Sequence, residues 1–262
     1  MVNLGDKKLF LLDMDGTIYL GNKLFDGTTD FLNNVLTHGG RYVFVTNNSS
    51  KSVDAYVEKL RGIGIESTAE DFLTSADVTA VYLKEKGYKK IYVLGTKSLI
   101  SQLSRAALPV TDALCDDIDC LCMGFDTELT FKKLEDACKI LGRDVDYIAT
   151  NPDLVCPTEY GYVPDCGSVS EILYNATRRR PIFIGKPSPQ MPLAAMKKFG
   201  CTKEETVVVG DRLYTDIACG VNAGVDTVFV LSGEGTLADA EKSDAKPTYI
   251  YDNIRAMTDD IF

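Results

Sequence analysis

An unbroken apolar run, Leu9-Phe10-Leu11-Leu12, is stopped by two aspartates one residue apart, in Asp13-Met14-Asp15-Gly16-Thr17. A run of this length and continuity predicts a strand buried on both faces, the kind found in parallel sheets covered by helices. Gly16 lets the backbone bend sharply at the strand exit, so Asp13 and Asp15 fall on the turn that leaves it. Two carboxylates on one turn oppose each other's ionisation unless a cation, a proton or solvent separates them. The pair suits a divalent metal and a nucleophile–acid pair. A solvated Asp-x-Asp-Gly turn is the plain alternative, and other segments must decide.

Strands and helices alternate along most of the chain, which predicts α/β architecture with a mainly parallel sheet. Phe31, Leu32, Val35 and Leu36 mark a helix ended by Gly39-Gly40, and Tyr42–Val45 is a second apolar strand. Val53, Tyr56, Val57 and Leu60 recur at helical spacing, and another helix is expected over Ser75–Lys86. A second unit opens with strand Lys90–Leu94. It continues with a helix near Ser98–Ala107, strand Asp119–Met123, a helix through Phe131 and Leu141, and strand Tyr147–Ala149. A Pro- and Gly-rich loop, Asn151–Gly167, leads to helix Ser168–Arg178. The first pattern then resumes with strand Ile182–Ile184, helix Pro189–Phe199, strand Thr206–Val209, helix Thr215–Ala223 and strand Thr227–Leu231.

Composition narrows the function classes. The 262 residues are 45% hydrophobic, enough for a full core, and the formal charge is −10. That charge disfavours nucleic-acid binding, which needs a basic face, but leaves room for a small phosphorylated ligand beside a metal and a few local cations. The run Arg178-Arg179-Arg180 is expected to be a solvated helix end complementing the dipole. No apolar stretch approaches a membrane span, and none resembling a signal peptide precedes Asp13, so no membrane partner and a cytoplasmic location are expected. Eight cysteines without a C-x-x-C pair fit a reducing compartment as small apolar thiols. His38 is the single histidine, expected at a helix end, so a histidine relay elsewhere in the chain is excluded.

The candidate residues share one address. Asp13 follows Leu12, Thr46 follows Val45, Lys186 stands two residues after Ile184, and Asp211 follows Val209-Gly210. The C-terminal ends of parallel strands form one edge, the usual place for a ligand crevice. Thr46 brings a hydroxyl, and Asn47-Asn48-Ser49 behind it can present backbone N–H groups to a phosphate. Lys186, in Gly-Lys-Pro-Ser-Pro, offers a point charge for phosphoryl oxygens. Asp211 and Asp216 add two carboxylates across a turn, the hard oxygen donors magnesium prefers.

These four segments resemble the motifs of the haloacid dehalogenase superfamily of phosphohydrolases, over nearly the whole chain. The resemblance implies that Asp13 is the nucleophile and Asp15 the general acid/base. It implies Mg²⁺ bound by the Asp13 carboxylate, the Asp15 backbone carbonyl and Asp211, with Asp216 supporting. Thr46, Asn47, Asn48 and Lys186 would hold phosphate and substrate. Only 32 residues separate Asp13 from Thr46, too few for an inserted domain, whereas 139 lie between Thr46 and Lys186. An insertion at that second point, with the Thr-Asn-Asn-Ser and Gly-Lys-Pro-Ser-Pro wording, is similar to the NagD-like or 4-nitrophenylphosphatase branch.

The expected architecture is therefore a Rossmann-like core over 1–80 and 181–262, with an inserted α/β cap over 81–180 between the second and third motifs. The expected activity is Mg²⁺-dependent hydrolysis of a small phosphomonoester through an aspartyl phosphate. A phosphomutase on the same site, or a sensor that binds a phosphorylated metabolite without turnover, are the alternatives. Substrate choice would belong to the cap, with Phe125, Asp126, Asn151, Asp153 and Cys156 as candidates for facing the leaving group. Similar proteins often dimerise through their caps, so a homodimer is admitted.

Overall fold

The computed structural model describes residues 3–158 and 160–262. The chain divides into two compact units. The first comprises residues 3–46, Val53–Leu73 and Lys186–Phe262, and the second Asn47–Ser52 and Thr74–Gly185. The chain passes from the first unit to the second at Thr74 and returns to the first at Lys186. Helix Ser75–Lys86 belongs with the second unit, where Asp77 Oδ1 accepts from Gln102 Nε2 at 2.6 Å. Its start was legible: Thr74 and Asp77 form a reciprocal capping box.

A six-stranded sheet runs through the first unit in the order Tyr249–Tyr251, Asp226–Val230, Thr206–Gly210, Leu9–Leu12, Arg41–Thr46, Phe72–Thr74. Leu9–Leu12 pairs in parallel on both sides, Leu12 opposite Val209 and opposite Phe44. All four of its residues are buried, as the continuous apolar run requires. Helix Thr28–Thr37 covers one face, and Phe10 meets Phe31 edge-to-face at 5.4 Å. His38 stands at that helix's C-terminal end, its Nδ1 2.8 Å from Asn34 O and its ring stacked on Phe262.

The second unit has its own core and a five-stranded parallel sheet. Its order is Ile182–Phe183, Asp146–Ala149, Cys120–Met123, Ile91–Leu94, Val110–Thr111. The stretch expected as the irregular loop Asn151–Gly167 holds an antiparallel ribbon, Val155–Thr158 against Gly161–Pro164, and its following helix already begins at Cys166. Asp165 caps that helix, which is why it starts two residues ahead of Ser168. Within the former loop, Glu159 lies outside the described residues. Arg179 does not serve its own helix end: its guanidinium donates to the carbonyls of Leu141, Arg143 and Val145, closing the end of helix Phe131–Leu141. Arg180 pairs with Glu171 and lies 3.8 Å over the Tyr174 ring.

All eight cysteines are free, and Cys120, Cys122, Cys166 and Cys219 are buried. Burial pushes the Cys122 thiol up to about 12, so it packs as a small neutral group. Among the described residues, no helix is long and apolar enough to cross a membrane.

Candidate functional site

Two neighbouring strands place the first two carboxylates. The Asp13 N–H donates to Val209 O at 2.9 Å, extending the ladder one residue past Leu12, and Asp211 leaves the adjacent strand just beyond Gly210. Asp211 to Asp216 passes through a π-helical turn, Leu213–Ile217, in which Ile217 N donates to Arg212 O at 3.2 Å. This wide turn, where a continuous helix from Thr215 was expected, folds Asp216 back so that its Oδ2 accepts from Arg212 N at 3.1 Å. One carboxylate oxygen each from Asp13, Asp211 and Asp216 then lies within 4.8 Å of the others, all three residues buried.

Lys186 enters the same cluster. Its Nζ donates to Asp13 Oδ1 at 2.6 Å and to Asp216 Oδ1 at 2.7 Å, and it is 3% exposed. Burial opposes its charge, but Asp13 and Asp216 beside it outweigh that cost and hold the ammonium protonated. Burial pushes Asp13 up to about 8, reinforced by Asp216 and Asp211 and opposed by Lys186. Asp211 rises to about 6, again by burial first and then by Asp216, while the Glu234 N–H lowers it. Three carboxylates face the Lys186 ammonium, with the Arg212 guanidinium acting on all three from beside Asp211, so negative charge still exceeds positive. An all-oxygen donor set of this kind fits a hard divalent cation such as Mg²⁺.

The chain around Asp211 is built for close approach. Its Oδ2 accepts from Glu234 N at 2.8 Å and its Oδ1 from Thr17 Oγ1 at 3.4 Å. A Cβ on Gly16, whose φ is +90°, would sit 2.3 Å from Asp211 Oδ2, and a Cβ on Gly233 2.0 Å from it. Only glycine leaves room at either place. Ser232 Oγ donates to Gly16 O at 2.7 Å and ties the two turns together.

The other expected residues divide. Thr46 ends strand Arg41–Thr46, immediately beside Leu9–Leu12, and is 9% exposed. Asn47 and Asn48 belong to the second unit. There the Asn47 amide donates to Asp153 Oδ2 at 3.0 Å, and Asn48 Oδ1 accepts from the N–H and hydroxyl of Ser50. Asp15 carries its carboxylate apart from the three-carboxylate cluster, half-exposed and 3.6 Å from Lys59 Nζ.

Three of the cap candidates are buried inside the second unit with internal partners. Asp126 pairs with Lys133 at 2.7 Å and accepts from Glu128 N. Phe125 donates its N–H to Ser49 Oγ at 2.9 Å. Asn151 links Asp153, Asp165 and Thr150. Asp153 and Cys156 are partly exposed. Burial of this kind is not visible in the sequence around these positions.

Arg212, Tyr214 and Glu234 were not singled out in the sequence. Arg212 Nε and Tyr214 OH both donate to Glu234, at 2.8 and 2.9 Å, bracing the turn that carries Asp211. Adjacency of Arg212 to Asp211 was the one available signal. Lys59 had none beyond its place on a helix.

A haloacid dehalogenase-like hydrolase family model matches residues 10–108, and a HAD-hydrolase-like one matches residues 183–257. The chain is 35% identical to an acid sugar phosphatase of Staphylococcus aureus over 94% of its length and 95% of that protein. It is 38% identical to a 4-nitrophenylphosphatase from Thermotoga maritima, covering 99% of both chains with a TM-score of 0.93. A glycerol phosphate phosphatase from Mycobacterium tuberculosis, in complex with magnesium, is 30% identical over 98% of this chain and 78% of that one, with a TM-score of 0.91. The chain belongs to the haloacid dehalogenase-like hydrolase family, in the phosphatase branch that holds NagD and the 4-nitrophenylphosphatases.

Proposed function

We propose that this protein hydrolyses small phosphomonoesters in two steps through an aspartyl phosphate on Asp13, with a divalent cation, Mg²⁺ by the chemistry of its ligands. The observation that carries the reading is the Lys186 ammonium bridging Asp13 and Asp216 inside a buried three-carboxylate cluster. Asp13 and Asp211, with the Asp15 carbonyl and with Asp216 in support, would hold the cation. When bound, it supplies positive charge against the phosphoryl oxygens.

Asp13 attacks phosphorus in line, forming the Asp13 O–P bond as the ester P–O bond breaks. Asp15 gives a proton to the departing alcohol oxygen. A water then attacks phosphorus, losing its proton to Asp15, and the Asp13 O–P bond breaks to release inorganic phosphate. Lys186 and the Thr46 hydroxyl stabilise the charge on the transferring group throughout. Residues 1–80 and 181–262 are assigned the chemistry, and the segment inserted between Thr46 and Lys186 the choice of leaving group. Sugar phosphates, glycerol phosphate and nitrophenyl phosphate are the substrate types named for relatives, and they are the first to test.

Release of inorganic phosphate from nitrophenyl phosphate in the presence of Mg²⁺ tests the reading. Chelation is expected to abolish it and Mg²⁺ to restore it. Phosphate release that persists in excess chelator would overturn the metal requirement, and no release from any phosphomonoester would overturn the activity.

A further inference from the structure

The proposed acid/base, Asp15, has a partner that the motifs do not contain. Lys59 lies near the C-terminal end of helix Val53–Gly62, where the helix dipole favours a cation. Its Nζ stands 3.6 Å from Asp15 Oδ2 and 4.0 Å above the centre of the Tyr19 ring. Tyr19 is fully buried, and its backbone is fixed to the same turn: Asp15 bridges Tyr19, and Gly16 N donates to Tyr19 O at 2.8 Å. The ring is therefore a rigid floor under the ammonium, and ring and carboxylate hold Lys59 from two directions. The Lys59 side chain is 27% exposed and Asp15 50%. A half-exposed ion pair of this kind adds little to folding stability. Its consequence is orientation, because a side chain that must deliver a proton at hydrogen-bond range loses rate when it swings freely.

We propose that Lys59 is a positioning residue for proton transfer: seated on the Tyr19 ring, its ammonium holds Asp15 Oδ2 and so fixes the carboxyl that serves the leaving-group oxygen. The inference rests on the phosphatase reading above. It makes a distinction that a general structural role would not. Nitrophenolate departs with little help from an acid, whereas an alkoxide departs only if it is protonated as the P–O bond breaks. Loss of Lys59 must therefore hurt alkyl esters selectively.

The test compares kcat/KM for glycerol phosphate and for nitrophenyl phosphate in wild type, Lys59→Met, Lys59→Gln and Lys59→Arg, all with saturating Mg²⁺. Lys59→Met and Lys59→Gln are expected to lose about tenfold or more on glycerol phosphate and no more than about threefold on nitrophenyl phosphate. Lys59→Arg, which keeps a cation for both the ring and the carboxylate, is expected to recover most of the alkyl-ester rate. An active wild type whose Lys59 variants lose equally on both esters, or lose nothing, overturns the positioning role alone. A wild type that releases phosphate from neither ester overturns the underlying activity and the role with it.

Discussion

The Lys186 ammonium donates to Asp13 Oδ1 at 2.6 Å although 173 positions separate the two residues. The same ammonium reaches Asp216, so one cation compensates two buried carboxylates, one at a strand end and one in a π-helical turn. Removing either side of this pairing should have unequal consequences.

Asp13→Asn keeps the shape of the side chain and removes the proposed nucleophile. Phosphate release is expected to fall by more than about 10³-fold. The far-UV circular dichroism spectrum and melting temperature should stay at or above wild type, since a buried like charge is lost. A variant retaining a tenth of wild-type turnover would refute the assignment.

Lys186→Met strands Asp13 and Asp216 without their counter-ion. Breaking a buried pair by removing one partner costs about 3–5 kcal/mol. Urea denaturation in chelator should show that loss, and Mg²⁺ should recover part of it by supplying positive charge to the same carboxylates. A Lys186→Met protein as stable as wild type in chelator would contradict this account of the cluster.

Mg²⁺ itself should stabilise the wild-type fold, by about 2.7 kcal/mol at a hundredfold excess over Kd. Asp211→Asn is expected to lose most of that gain, because it removes one of the three clustered oxygens. Thermal melts of both proteins with Mg²⁺ and with chelator measure the difference. Equal Mg²⁺ responses would place the ion elsewhere.

Asp165 predicts a pH dependence confined to the second unit. Burial pushes it up to about 6, against hydrogen bonds from the Cys166 N–H and the Asn151 amide. A carboxyl whose folded pKa exceeds its unfolded value binds more protons when folded, so stability falls as pH rises from about 4 to 6 and then levels off. Asp165→Asn removes this titration while keeping an oxygen for the helix cap. The stability difference between Asp165→Asn and wild type should grow in the variant's favour by at most about 3 kcal/mol between pH 4 and pH 7. A difference that does not change with pH would show that Asp165 ionises normally.

Much of the fold was legible because its signals are local. The run Leu9–Leu12 announced a strand buried on both faces, and the Thr74–Asp77 capping box opens the helix expected from Ser75. Where the expectation failed, pairing between segments had decided, local in the ribbon and distant for Arg179. The stretch from Asn151 pairs with itself as a ribbon, and Arg179 serves the end of a different helix. Asp126 lies under the Lys133 ammonium with its carboxylate out of solvent, a fate no loop composition announces.

Chain chemistry alone specified that Asp13, Thr46 and Asp211 stand at or just beyond the ends of neighbouring strands, because strand length, turn chemistry and side-chain type are written within a few neighbouring positions. Tertiary packing decided the rest. It set the Lys186 ammonium between Asp13 and Asp216, drew Asn47 to Asp153, and seated Lys59 on Tyr19 beside Asp15. Each of these depends on the distance between groups far apart in sequence, and electrostatic interaction and burial act through that distance and not through sequence spacing.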